Sequence, residues 1–96
     1  FNRRMNAATD KFQKEMSRAY GQERAIVQAL LSLRREMAFL ARAIDLPVIP
    51  EKDRQQYRQL VIDQGNSIQN SLEDSAKKDR SGKMSSLVRN NRVNAF

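Results

Sequence analysis

The chain has 96 residues, 40% of them apolar and 30% charged, and 18 Lys and Arg against 11 Asp and Glu leave a net charge of +7. A chain of this length supports one small domain at most. It has no cysteine and no histidine, which excludes disulfides, thiolate metal sites and imidazole catalysis.

Leu, Ile, Val and Phe total 22 of 96 residues, just above the level at which disorder becomes the default. So small an apolar supply points to folding with partners rather than alone. The first residue is Phe1, so the chain reads as processed or as part of something longer. The longest uninterrupted apolar run is Met37-Ala38-Phe39-Leu40-Ala41, far short of the roughly 20 residues that a membrane span requires. No signal-peptide pattern is present, so the chain reads as soluble with no compartment fixed.

Twelve positions spaced alternately four and three apart run from Met5 to Ile44, and ten of them are apolar. A repeat averaging 3.5 residues keeps one face of a helix turned toward a helical partner. The spacing predicts one long amphipathic helix over residues 1–44, a rod of about 60 Å. Its interaction seam is Met5, Phe12, Met16, Ile26, Leu30, Leu33, Met37, Leu40 and Ile44. Flanking Ala8, Tyr20, Val27, Ala29, Ala41 and Ala43 widen the apolar face, which favours a bundle with partner chains over a two-stranded coiled coil. Leu31 and Phe39 fall outside that face and are candidates for a second contact. Glu23 interrupts the seam two residues after Gly21. It reads either as a polar position that sets register or as a solvated residue where the seam opens, and the second reading is preferred.

Residues 45–50, Asp-Leu-Pro-Val-Ile-Pro, form a proline-bounded connector. Leu46, Val48 and Ile49 make it more apolar than solvent favours, which predicts packing against something. A second, antiparallel helix is expected over residues 51–80, with a stripe of Tyr57, Val61, Ile68 and Leu72 and a candidate kink or restart at 65–67, Gly-Asn-Ser. Residues 1–44 carry a net charge of +5 and residues 45–76 a net of −3, which fits two helices lying side by side. Residues 81–96 lack a period and predict an extended basic tail that becomes ordered only against a partner. Its apolar anchors are Leu87, Val88, Val93 and Phe96; a short helix from Met84 to Arg92 is the alternative. The fold class is therefore all-α, with coiled-coil or bundle packing against partner chains.

Catalytic readings are weak. No arrangement of carboxylates stands apart from solvated helix charges, and no calcium-loop pattern appears. Ser81-Gly82-Lys83-Met84-Ser85 lacks the leading Gly, the Ser or Thr after Lys and the preceding strand of a phosphate-binding loop. No catalytic residue, metal ligand or cofactor is assigned. The leading expectation is a non-enzymatic structural or assembly subunit, such as a scaffolding, adaptor or internal component of a viral particle or secretion machine. It would form a homo-oligomer or a larger hetero-assembly, docking through the seam and the tail. The alternative is an oligomeric nucleic-acid-binding protein. Lys77, Lys78, Arg80, Lys83, Arg89 and Arg92 would contact phosphate or an acidic partner, although no aromatic is interleaved among them to stack bases. Membrane contact is the least favoured, because helix pairing already explains the apolar stripe.

Overall fold

The structure, a computed structural model, describes residues 2–94. It is all-helical, with α1 at Asn2–Arg18, α2 at Glu23–Ala43, α3 at Glu51–Ala76 and α4 at Lys83–Asn90. The long dimension is 47 Å, against 20 and 16 Å across.

The expected single helix over residues 1–44 is two helices folded back on each other. Gly21 at φ 74° supplies the left-handed step of the turn, a conformation that costs a residue with a β-carbon roughly 1–2 kcal/mol. The Gln22 amide donates to the Ala19 carbonyl at 2.8 Å and closes the turn. Glu23 then occupies the exposed first position of α2, where its charge meets the positive end of the helix dipole. Its solvated reading is the one the structure shows. Near the other end of the hairpin, Arg4 Nε lies 3.2 Å from Glu36 Oε2, and the Arg4 guanidinium sits 4.0 Å above the Phe39 ring.

Folding at Gly21 turns the seam inward. Met5, Phe12, Ile26, Leu30, Leu33, Met37, Leu40 and Ile44 are buried, and Met16 is half-buried. The chain covers this seam itself, in place of the partner chain that the repeat predicts. The 3.5-residue repeat does not distinguish the two outcomes, because helices on both sides of a tight turn can keep one apolar face toward a common interior.

The connector at residues 44–50 returns the chain, and Pro50 takes the N-cap position of α3, with Glu51 and Asp53 in the first turn. Arg58 reaches back to Asp45 at 3.5 Å. Helix α3 runs through residues 65–67, where the sequence leaves a kink or restart and continuity equally open, and it ends at Ala76, short of the predicted residue 80. Its most deeply buried positions are Val61, Gly65, Gln69 and Ala76. Tyr57, Ile68 and Leu72 of the predicted stripe are only half-buried. Gln64 Nε2 donates to Thr9 Oγ1 at 3.2 Å and ties α3 to α1.

The segment expected to be extended contains α4 and folds back along α3. Val88 and Val93 are buried and Leu87 is half-buried. Three of the four tail anchors thus dock on their own chain; Phe96 lies outside the described residues. Arg89 falls in the last turn of α4, where a cation meets the negative end of the dipole.

Candidate functional site

The tail is held by one buried amide. Gln69 is 1% exposed. Its Oε1 accepts the Val93 amide at 3.0 Å, while Nε2 donates to the Val88 carbonyl at 3.3 Å and to Glu73 Oε1 at 3.1 Å. The same Glu73 oxygen lies 3.5 Å from Arg92 Nη1. Gly65, one turn earlier on α3, leaves room for the chain to cross close above the helix at Asn94.

The turn between α3 and α4 is organised by Asp79. Its carboxylate accepts the Met84 amide at 3.1 Å, the Ser81 hydroxyl at 2.8 Å and the Ser81 amide at 3.3 Å. The Met84 amide first, then the Ser81 hydroxyl and amide, hold the Asp79 carboxyl below the usual carboxylate range; Lys83 adds a smaller pull in the same direction. Gly82, at φ 77°, lets the chain turn into α4.

This local architecture fixes where the six predicted cations go, and it separates them. Lys77, Arg89 and Arg92 border a depression of about 340 Å³ with Glu73 and Ser85. Two of the three already have anionic neighbours, Lys77 in Asp74 at 3.6 Å and Arg92 in Glu73 at 3.5 Å. Lys78 and Lys83 lie on another side, in a groove of about 740 Å³ shared with Met16, Tyr20, Ile26 and Leu87. Arg80 is exposed in the turn between them.

That groove joins two turns that are far apart in sequence. Residues 18–24 and 77–83 meet at one end of the molecule, and together they carry Arg18, Arg24, Lys77, Lys78, Arg80 and Lys83 against Glu23 and Asp79, a net of +4. Tyr20 stands there with 90% of its surface exposed. The sequence pattern places Tyr20 on a helix flank and no aromatic near the tail cations. The fold provides one. A second depression of about 340 Å³ shares Glu23, Lys83 and Leu87 with the groove and continues along α4 to Ser86 and Asn90.

The opposite end carries the other exposed apolar groups: Val48 at 78%, Leu46 at 51% and Phe39 at 43% exposure. Of the two predicted second-contact residues, Phe39 is exposed beneath Arg4 and Leu31 is half-buried. The packing expected of the connector is supplied within the chain only to Ile49, which is half-buried.

Among the described residues there is no group of three or more side chains able to hold a metal ion, and no helix is long and apolar enough to cross a membrane. No family model, curated protein or solved structure matches this chain.

Proposed function

We propose that this chain is a non-enzymatic adaptor module of a larger assembly, docking onto a protein partner through its connector end and presenting cations at its turn end. The observation that carries the reading is the exposure of Val48, Leu46 and Phe39 within ten residues of chain, three of the four exposed large apolar side chains among the described residues. Burying a side chain of this kind stabilises a complex by about 1.5–3 kcal/mol, and clustered rather than scattered exposure marks an interaction site. The seam takes no part in this protein docking, because all of it but Met16 is buried in the interior. Asp79, whose carboxyl is held below the usual range, accepts from the Met84 and Ser81 backbone amides and the Ser81 hydroxyl, an arrangement suited to capping a helix and not to abstracting a proton.

Photo-crosslinking tests this reading. A crosslinking residue at position 48 should give a discrete adduct in the native source, and the same residue at Lys14, exposed on the outer face of α1, should not. Equal labelling from both positions, or none from position 48, would overturn the assignment.

The structure also favours a second reading, phosphate contact by nucleic acid. Its support is the net charge of +4 gathered at the turn end from two separate segments. Lys78, Arg80, Arg18 and Arg24 have no ion-pair partner within 4.0 Å among the described residues, so their charge is available to an anionic ligand.

A further inference from the structure

We infer that the turn end is a platform for single-stranded nucleic acid, with Tyr20 stacking a base and Lys78, Lys83 and Arg80 contacting the flanking phosphates. This rests on the second reading above and adds to it a ligand class and a stacking residue.

Four observations carry the inference. Tyr20 is 90% exposed although it sits beside an apolar groove that could have sheltered it. Gly21 and the reverse turn hold its backbone out of both helices. The groove is lined by the apolar Met16, Ile26 and Leu87 together with Lys78 and Lys83. From it the surface runs on past Lys83 to Ser86 and Asn90, which can hydrogen-bond to base edges or phosphate. An exposed ring, an apolar recess and cations around both are the parts of a single-strand site, in which every base offers a face for stacking and the backbone follows positive charge.

A duplex fits this geometry less well. Its bases are already stacked, so Tyr20 would have nothing to stack on. An acidic peptide could neutralise the cations but would leave the ring without a preferred partner. Glu23 and Asp79 both line the groove. The Asp79 carboxylate is engaged by the Met84 and Ser81 amides and the Ser81 hydroxyl. Glu23 opposes phosphate, so the strand's backbone must track Lys78 and Lys83, with a base toward Glu23.

The test uses fluorescence anisotropy of labelled oligothymidylate and oligouridylate of about twelve nucleotides, within the usual span of single-strand sites. A duplex of the same length and poly-glutamate serve as comparators. The expected result is tighter binding of the single strands than of either comparator, weakened about tenfold or more by Tyr20→Ala and largely retained by Tyr20→Phe. The chain has two tyrosines and no tryptophan, so intrinsic tyrosine emission should be quenched on binding in the wild type and much less in Tyr20→Phe. The double variant Lys78→Ala and Lys83→Ala should flatten the logarithmic salt dependence by about 1.4, at roughly 0.7 for each phosphate no longer neutralised. Circular dichroism checks that each variant keeps its helical content. Salt-dependent binding that ignores Tyr20→Ala would overturn the inference and leave the phosphate reading standing. Binding to poly-glutamate as tight as to the single strands would assign the surface to an acidic protein, and no binding of any nucleic acid at low salt would remove both readings.

Discussion

Gly65 of α3 lies directly beneath Asn94: a β-carbon at position 65 would stand 3.1 Å from the Asn94 Cα and 3.2 Å from its Cβ. The crossing chain therefore sets the residue at position 65, although a glycine within a helix costs about 1 kcal/mol relative to alanine. Two effects oppose each other in Gly65→Ala. Helix α3 gains that propensity, while residues 93–94 must move outward by a few tenths of an ångström and stretch the Gln69–Val93 hydrogen bond. The expected outcome is faster hydrogen exchange at the Val93 amide with no loss of α3 helicity. Unchanged Val93 protection would show that the tail accommodates the methyl group.

Gln69 should be the most sensitive polar position. Gln69→Leu keeps much of the volume but strands the Val93 amide and removes a donor from the Val88 carbonyl, both in a buried environment. An unsatisfied buried group costs about 1–3 kcal/mol, so a loss of about 2 kcal/mol or more is expected in urea denaturation. Gln59→Leu on the same helix is the control, since Gln59 is exposed and bonds only to Asp63 among the described residues. Its change should stay within about 0.5 kcal/mol. Equal losses from the two variants would mean that Gln69 does not hold the tail.

These two residues also mark the limit of what the sequence discloses. Helical content and the inward-facing residues follow from the apolar repeat, and eight of the nine seam residues are buried. The repeat passes over Gly65 and Gln69 because neither is apolar, although Val61, Gly65 and Gln69 recur at four-residue intervals on one face. The tail reads as extended because its few apolar residues cannot form a core alone; they need only complete one, with Val88 and Val93 closing over α3. The site at the turn end is assembled by tertiary structure. Nothing in the chain order brings Tyr20 to Lys78 and Lys83; the reversals at Gly21 and at the 44–50 connector, with the turn at Asp79, do so.

Acid should weaken the Asp79 cap at the start of α4. The folded Asp79 carboxyl is held below its ordinary value of 3.8, chiefly by the Met84 amide. A depressed folded-state pKa contributes stability that is present above the unfolded value and lost as pH falls through the folded value. The cap should therefore weaken below pH 3.8. The Met84 and Ser81 amide resonances are expected to shift together with a midpoint under that value. In Asp79→Asn that titration should vanish. A midpoint at or above the ordinary carboxylate value in the wild type would rule out the cap as the cause.

Gly21 decides between the hairpin and the continuous rod that the repeat alone predicts. A β-carbon at position 21 would meet no atom within 4 Å, so the effect of Gly21→Ala is conformational. The left-handed turn loses roughly 1–2 kcal/mol, while a continuous helix gains about 1 kcal/mol from replacing an interior glycine. Together they shift the balance toward the straight form by about 2 kcal/mol or more, on the order of 30-fold. Opening the hairpin would expose Met5, Phe12, Leu30 and Leu33, which are buried in the closed form. A second opened chain offers the matching surface, α1 of one against α2 of the other, which is the usual route to domain swapping when a hinge is altered. The expected outcome is a concentration-dependent dimer of Gly21→Ala with helices of about 60 Å, visible by sedimentation and by a longer maximum dimension in X-ray scattering, at unchanged or higher helical content. A Gly21→Ala variant that stays monomeric, with the scattering profile of the wild type, would show that α1–α2 packing outweighs the turn strain.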